Sequence, residues 1–217
     1  MYIKIILLII AASATSLSAA SKTLTAAPVA NKIKVDGKLD EAAWQKAKSI
    51  SDFEGTMGTK KVSVQTSIKA LYGPKKLYLG VKMSEPKTSE LAPKGGVIWA
   101  DDRIEFPLSV NPEDAAYFLF AVNCAGKKEE GYFGGDYSDE IAEFNKPWQA
   151  SIYKGEKSWF VEIAIPYKSL GAKPEKGKVW KINFCRQRSP GKTKVEYSAW
   201  IKKFGGFHYA GGNLKFK

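Results

Sequence analysis

One short stretch of the sequence, VIWADDRIEF at residues 97–106, holds residue types that could carry chemistry. An indole, Trp99, precedes two adjacent acids, Asp101 and Asp102. A third acid, Glu105, follows in an alternation typical of a strand. Carboxylates at this spacing suit acid catalysis, a cation site, or a slot that holds a polar ligand through hydrogen bonds. The rest of the chain discriminates among these possibilities.

Most enzyme classes lack their catalytic parts in this chain. There is one histidine, His208, and no Gly-x-Ser-x-Gly turn or Gly-rich phosphate loop, so acyl transfer and nucleotide chemistry are disfavoured. Zinc sites usually take several His or Cys ligands, which the composition does not supply. Glycoside hydrolysis needs only two carboxylates. The candidates for that pair are Asp101, Asp102, Glu105 and Glu162.

We nevertheless expect a protein that is not an enzyme. Glu162 alternates with apolar residues in FVEIAIP, a pattern typical of a solvent-facing position beside a buried strand face. The short connections between the predicted strands also leave little material for the walls of a catalytic cleft.

Alternation of apolar residues at period two places the candidate residues on strands. Gly, Pro, Asn or Lys-Gly separates nearly all of the strand-like runs, and a hairpin turn is predicted at residues 73–76. The pattern predicts an all-β fold, an antiparallel β-sandwich of the immunoglobulin or jelly-roll kind. The strand-like runs are KIKVDG, VSVQTSIKALYG, KLYLGVKM, RIEFPLSV, AYFLFAVNCAG, WQASIYKG, KSWFVEIAIP, WKINFCRQR and EYSAWIK.

Helical signals are short and few. One N-terminal helix is predicted within residues 39–47, with Asp40 as its cap and Trp44 packed inward. A second helical turn is predicted at residues 167–170, after a proline. The alternating apolar surroundings of Trp44, Trp159 and Trp180 predict that all three are core residues.

The first residues predict export. Residues 1–20 combine an early lysine, an apolar run and small residues, as in a secretory signal peptide cleaved near Ala20. We therefore expect a secreted or periplasmic protein with no membrane span in its mature chain. Residues 21–29 are predicted to be an N-terminal lead, and residues 30–217 a single domain. Cys124 and Cys185 lie in strand-like runs, which leaves open a disulfide or two separate buried thiols.

The chain is strongly basic, with a formal net charge of +12, and almost all of its cations are lysines. The arginines are Arg103, Arg186 and Arg188. Scattered lysines with so few base-reading arginines argue against nucleic-acid binding. The charge is better explained by solubility or by adhesion to an acidic surface.

Several segments, in order along the chain, resemble the family 9 carbohydrate-binding modules. The resemblance spans nearly the whole mature chain and implies a secreted β-sandwich, related in architecture to DOMON-type domains, that binds saccharides without cleaving them. It implies no cofactor, although some members hold structural calcium. The segments are VDGKLDEAAW, ALYGPKKLYLGVKMSEP, VIWADDRIEF, WFVEIAIPYKSLG with GKVWKINFCRQR, and FGGFHYAGGNLKF.

In the best-known members of that family, two aromatic rings clamp the end of a saccharide and polar side chains bind its hydroxyls. By resemblance, Trp99 is the first ring, Glu105 is a hydroxyl-binding carboxylate, and Asn123 contacts the sugar. The sugar-binding members carry an arginine two residues before that asparagine, where this chain has Ala121. The second clamp tryptophan is replaced, and the nearest aromatic is Phe207.

His208 and Tyr209 lie beside Phe207 in the sequence, and His208 is a further candidate for sugar contact. On the predicted strand, Arg103 shares a face with Glu105 and joins the candidate site. A flat ring and hydrogen-bonding side chains together are what a sugar requires, because its ring has an apolar face and a rim of hydroxyls.

The residues also leave simpler interpretations open. Trp99 could pack on a loop at the rim, Phe207 could belong to the core, and Arg103 with Glu105 could form a solvated pair. Asp101 and Asp102 could anchor a loop through backbone N–H groups, or hold calcium. The functional alternative is a sandwich that has lost its sugar site and serves as a structural or envelope-interaction domain, with a protein partner that the sequence does not identify.

Overall fold

The computed structural model describes residues 21–94, 97–113, 115–134, 140–142, 144–191, 194–202 and 210–217. These residues form short strands, two short helices and two 3-10 turns. The helices are α1 (Ala42–Lys46) and α2 (Tyr167–Leu170), and the 3-10 turns are Thr88–Glu90 and Ile98–Ala100. The strands are β1 (Thr23–Pro28), β2 (Ser49–Ile50), β3 (Glu54–Gly55), β4 (Thr66–Tyr72), β5 (Lys76–Ser84), β6 (Arg103–Ser109), β7 (Tyr117–Asn123), β8 (Lys128–Phe133), β9 (Glu140–Ala142), β10 (Gln149–Lys154), β11 (Ser158–Pro166), β12 (Val179–Ile182), β13 (Cys185–Arg188), β14 (Glu196–Ala199) and β15 (Gly212–Phe216).

The strands make a mixed sheet that folds over into the two layers of a β-sandwich, which confirms the predicted fold class. Its order is β10–β11–β5–β4–β1–β15–β12–β6–β13–β14–β3, with β7, β8 and β9 continuing from β6 and β2 pairing with β4. The main core lies between the β4–β5–β11 layer and the β6–β7–β12 layer. None of the helices in the described residues is long and apolar enough to cross a bilayer.

The first described strand departs from the sequence prediction. Residues 21–29 were expected to form a lead, yet β1 pairs in parallel with both β4 and β15, while the other strand pairs are antiparallel. Leu24 and Ala26 are fully buried in the core. The short alternation TLTAAP carries small side chains, so its strand signal is weak next to the predicted cleavage site.

The apolar residues of the strands lie in the core, as the alternation of apolar and polar residues predicts. The predicted hairpin is present, because β4 ends at Tyr72 and β5 begins at Lys76. The prediction that Trp44, Trp159 and Trp180 are core residues is confirmed, since each is buried. Trp159 and Trp180 belong to the main core, whereas Trp44 belongs to a smaller cluster.

The smaller cluster packs the N-terminal segment, residues 33–47, onto the outer face of the β4–β5–β11 layer. Trp44 lies over Gly80, where an added Cβ would come within 3.1 Å of the indole. A Cβ on Gly37 would lie 2.6 Å from the backbone of Ile152, so this glycine permits close approach of the segment to β10. Glu41 rather than Asp40 occupies the N-cap position of α1, and no side chain caps the helix.

Glu162 is the anchor of this N-terminal segment. Its Oε1 accepts a hydrogen bond of 2.9 Å from Trp44 Nε1, and its Oε2 accepts from the backbone N–H groups of Asp36 and Gly37 at 2.9 and 3.0 Å. The expectation that Glu162 faces solvent is wrong, because the segment covers it completely. Burial raises the pKa of this carboxyl, while the three donors oppose the shift.

A buried ion network joins the two layers at one end of the sandwich. Arg188 donates to both oxygens of Glu85, through Nη2 to Oε1 and Nε to Oε2, at 2.9 and 2.7 Å. Arg186 donates to Ser84 O at 2.9 Å, and its Nη2 lies 3.6 Å from Glu85 Oε2. Burial lowers the pKa of Arg186 to about 10. The network therefore ties β13 to the end of β5.

The two cysteines are buried as separate thiols. Cys124 belongs to the main core, whereas Cys185 packs with Ala199 in another cluster. Of the two possibilities left open by the sequence, the structure has the separate thiols.

Replacing Glu162 by Ala should destabilise the fold by about 3 kcal/mol or more, because three N–H donors, two of them buried, would lose their acceptor. Urea unfolding measures this change. The matched control is Glu156→Ala, at an exposed position beside the β10–β11 turn, which should change stability by no more than about 0.5 kcal/mol. Equal stability of the two variants would contradict the anchoring role of Glu162.

Candidate functional site

Trp99 lies in the 3-10 turn Ile98–Ala100 that precedes β6. Its side chain is 40% exposed, whereas neighbouring Ile98 is buried and holds the turn to the core. The guanidinium carbon of Arg103 lies 5.0 Å from the indole centroid, and Arg103 Nη1 donates to Trp99 O at 2.7 Å. One face of the indole is therefore supported by a cation while part of the ring stays in water.

Strand register brings the polar candidates together on the face of β6 that points away from the main core. Arg103 pairs with Asn123 on β7 and with Gln187 on β13. Glu105, two residues further, lies between Ala121 and Cys185. Because residues directly opposite each other share a face, these side chains form one polar patch behind Trp99.

Arg103 and Glu105 are buried, with 6% and 1% of their surfaces exposed, so the interpretation of a solvated pair is wrong. Arg103 Nη2 lies 3.5 Å from Glu105 Oε1, and Arg103 Nη1 donates to Gln187 Oε1. Within the described part of the chain, Glu105 Oε2 and Arg103 Nε have no hydrogen-bond partner. Burial raises the pKa of Glu105, and the charge of Arg103 opposes the shift.

Asn123 is buried and makes hydrogen bonds at both ends of its amide. Its Oδ1 accepts from Ala125 N and Lys127 N at 3.0 and 2.8 Å, which shapes the turn after β7. Its Nδ2 donates to Asp101 Oδ2 at 2.7 Å. The amide thus holds the site in place, and one of its N–H groups has no partner among the described residues.

Asp101 and Asp102 anchor loops, one of the interpretations that the sequence left open. Asp101 Oδ1 accepts from Lys94 N at 2.6 Å, and Asp102 Oδ1 accepts from Ser189 N at 2.9 Å. The first bond closes the loop before β6, and the second holds that loop against the end of β13. Burial raises the pKa of Asp102.

The carboxylate oxygens of Asp101 and Asp102 are not arranged as a calcium site. Calcium takes six to eight oxygen ligands, whereas three of the four carboxylate oxygens of Asp101 and Asp102 already accept hydrogen bonds from the protein. No group of three or more His, Cys, Asp or Glu residues suited to a metal ion occurs in the described ranges.

The carboxylates also do not assemble a hydrolase pair in this part of the molecule. Glu162 lies beneath α1 on the outer face of the other layer, away from Glu105 on β6. Asp101 and Asp102 are buried and accept hydrogen bonds from Lys94 N, Asn123 Nδ2 and Ser189 N.

Arg103 on the neighbouring strand places a guanidinium near Ala121, the position where the family resemblance leads one to expect an arginine. Ala121 lies directly opposite Glu105. Arg103, diagonal to Ala121, fills the position next to Glu105 with a guanidinium. A cation therefore accompanies the carboxylate even though β7 does not supply it.

Gln187 is a member of the site that sequence reasoning missed. It shares a face with Cys185 through the period-two pattern of CRQR, which was the available signal. The sequence does not tell which strand lies beside β6, so the pairing with Arg103 emerges only from the fold. Phe207 and His208, both predicted site residues, lie outside the described residues, as does Tyr209.

Comparison with solved structures reveals the same fold in sugar-binding modules. A carbohydrate-binding module of family 9 from Caldicellulosiruptor kristjanssonii in complex with cellotriose is 15% identical, with a TM-score of 0.69 over 90% of this chain and 94% of that chain. The corresponding complex with glucose is 16% identical, with a TM-score of 0.68 over 90% and 96%. A putative carbohydrate-binding protein from Bacteroides uniformis is 20% identical, with a TM-score of 0.67 over 91% and 100%.

Sequence comparison assigns the family. No curated protein matches the chain significantly. Residues 35–204, well over half of the chain, match the family described as carbohydrate family 9 binding domain-like. The matched range contains all but the first two residues of the N-terminal segment, its Glu162 anchor, the turn of Trp99 and the polar patch of β6, β7 and β13. The chain therefore belongs to the carbohydrate family 9 binding domain-like family.

Proposed function

We propose that this domain binds a saccharide, without cleaving it, at the patch formed by Trp99, Arg103, Glu105 and Gln187. The observation that carries the proposal is a buried ion pair in which one atom of each member has no partner among the described residues, directly behind a half-exposed indole. Unsatisfied polar atoms are costly in a protein interior, and the presence of two of them on one ion pair beside an exposed ring points to a ligand.

The chemistry of a sugar suits both parts of this patch. The exposed side of Trp99 covers the apolar face of a pyranose ring. A sugar hydroxyl both donates and accepts, so a single hydroxyl can donate to Glu105 Oε2 and accept from Arg103 Nε. Both atoms are buried, so a ligand reaches them only after neighbouring residues shift. The amide proton that Asn123 keeps is a further donor.

The family relatives suggest where to begin with ligands. Two solved family 9 modules are complexes with cellotriose and glucose, so these are the first saccharides to test, followed by a glycan array. We further propose that the protein is exported, since the apolar run before Ala20 has the pattern of a cleaved signal peptide.

A second candidate function is a structural or envelope-interaction domain that keeps the sandwich but no longer binds sugar. Asn123 favours it, because most of its hydrogen-bonding capacity is used by the protein itself. Failure of every neutral saccharide to bind the intact protein would favour this candidate over the first.

Replacing Trp99 by Ala should remove most of the saccharide affinity, on the order of 2 kcal/mol, because the stacking surface is lost. Stability should fall by no more than about 2 kcal/mol, the worth of a cation–π contact with the buried Arg103. Calorimetric titration and thermal unfolding of the same variant measure the two quantities.

Two control variants make the Trp99 result interpretable. Met57→Ala removes another exposed apolar side chain and should leave both quantities unchanged. Trp180→Ala should cost roughly 3–5 kcal/mol of stability, as expected for a core tryptophan. If Trp99→Ala unfolds like Trp180→Ala and still binds sugar, the indole belongs to the fold and the proposed site is wrong.

Saccharide affinity should depend on pH through Glu105. A hydroxyl that donates to Glu105 stabilises the ionised form, so the pKa of this carboxyl is lower in the complex than in the unliganded protein, where burial raises it. Affinity is therefore complete above the raised pKa and is lost as the pH falls through it. The loss therefore begins at a pH above the ordinary pKa of glutamate.

Titrations across this pH range with two amide variants assign the effect. Glu105→Gln should bind weakly with little pH dependence, whereas Asp102→Asn, which removes another buried carboxyl of raised pKa, should keep the dependence of the unmodified protein. Affinity of the unmodified protein that stays constant or rises as the pH falls would show that Glu105 does not accept from the ligand.

A further inference from the structure

A second concave surface lies far from Trp99 and is unrelated to the proposed sugar site. It is a groove of about 690 Å³, within the range of small-ligand sites. Three parts of the chain form it: the β4–β5 turn, the residues before β10, and α2 with the segment after it. The lining residues are Pro74, Lys75, Lys76, Pro147, Trp148, Gln149, Pro166, Tyr167, Lys168 and Lys173.

The walls of this groove are joined by hydrogen bonds. Tyr167 OH donates to Gly73 O at 3.1 Å, and Lys76 Nζ donates to Gln149 Oε1 at 2.9 Å. Ser169 Oγ donates to Pro147 O at 2.8 Å. Each bond crosses between two of the three parts, so the shape is preorganised and a ligand need not order it.

The charged side chains that line the groove are all positive among the described residues. Lysines at positions 75, 76, 168 and 173 line it, and none of the described lining residues is acidic. Three of these lysines are exposed: Lys75, Lys168 and Lys173. Their ammonium groups make no hydrogen bond or ion pair with any described residue. Positive side chains gathered around a low-dielectric surface attract anions.

The floor of the groove is apolar. Trp148 and Tyr167 are almost completely buried there, and three proline rings lie around them. Nucleic-acid strands are held by exposed rings on which bases stack, and these rings are not exposed enough to serve. An acidic polysaccharide fits better, because its sugar rings offer C–H edges to the prolines and its carboxylates offer partners to the lysines.

We infer that this lysine groove binds an acidic polysaccharide, one whose sugar units carry carboxylates, independently of the Trp99 site. The two surfaces lie toward opposite ends of β5. Lys76, at the beginning of β5, lines the groove. Ser84, at the end of β5, accepts a hydrogen bond from Arg186, and Arg186 pairs with Ile104, the residue after Arg103 on β6. At about 3.3 Å per residue, β5 separates them by roughly 26 Å. One molecule therefore has room for two saccharide chains.

Polygalacturonate is the probe for this inference, with a neutral glucan for comparison. The triple variant Lys75→Glu/Lys168→Glu/Lys173→Glu should bind polygalacturonate at least about tenfold more weakly than the unmodified protein, since three favourable charge contacts become repulsive. Binding to the unmodified protein should also weaken about tenfold between roughly 0.05 and 0.5 M NaCl.

The matched control is Lys60→Glu/Lys61→Glu/Lys194→Glu. It changes the net charge equally in another lysine-lined groove, one that contains Glu196. This control should keep most of the polygalacturonate affinity, and so should Trp99→Ala, which separates the inference from the proposed function. Equal loss in both triple variants would mean that net charge alone drives adhesion and would overturn the inference.

Two other anions complete the test. Single-stranded DNA and vesicles containing phosphatidylglycerol should bind the groove less tightly than polygalacturonate at the same salt concentration. If either binds as tightly and is lost equally in the groove variant, the surface is a general polyanion site and its assignment to acidic polysaccharide is wrong.

Discussion

Carboxylates that are removed from water destabilise a fold unless hydrogen-bond donors replace the lost hydration. Among the described residues this protein buries five of them, and donors reach them unevenly. Glu85, Asp101 and Glu162 accept hydrogen bonds on both oxygens, and Asp102 accepts on one. Glu105 has a single contact of 3.5 Å with Arg103 and none on its other oxygen. The least compensated acid is therefore the one beside the exposed indole.

The four better compensated acids build the frame that places Glu105 and Trp99. Glu162 holds the N-terminal segment on one layer, and Glu85 joins that layer to β13 through arginine. Asp101 and Asp102 hold the segment before β6, which carries Trp99, against the neighbouring loops. The acids that accept at least one short hydrogen bond thus make the scaffold rigid, and Glu105, the least compensated of the five, is the one we assign to a ligand, a division expected between structural and functional polar groups.

The period-two pattern of the sequence predicts which face of a strand each side chain lies on. Alternation places Ile104 in the core and Arg103 with Glu105 on the opposite face, and the structure agrees. Alternation does not tell what covers that opposite face. The partners of Glu162 lie 118 to 126 residues away in the chain, so its burial could not be read from FVEIAIP. The same limit hid Gln187, which reaches Arg103 only because β13 pairs with β6.

A nuclear magnetic resonance titration of the protein with its tightest-binding neutral oligosaccharide tests the proposed site most directly. The chain has six tryptophans, and within the described structure Trp99 is the one whose ring is exposed, so the indole N–H signals report on binding separately. Binding at the patch predicts a saturable shift of the Trp99 indole signal and of the Gln187 side-chain amide, while the indole of Trp148 in the lysine groove stays unchanged. Saturable binding that leaves the Trp99 and Gln187 signals in place would contradict the site.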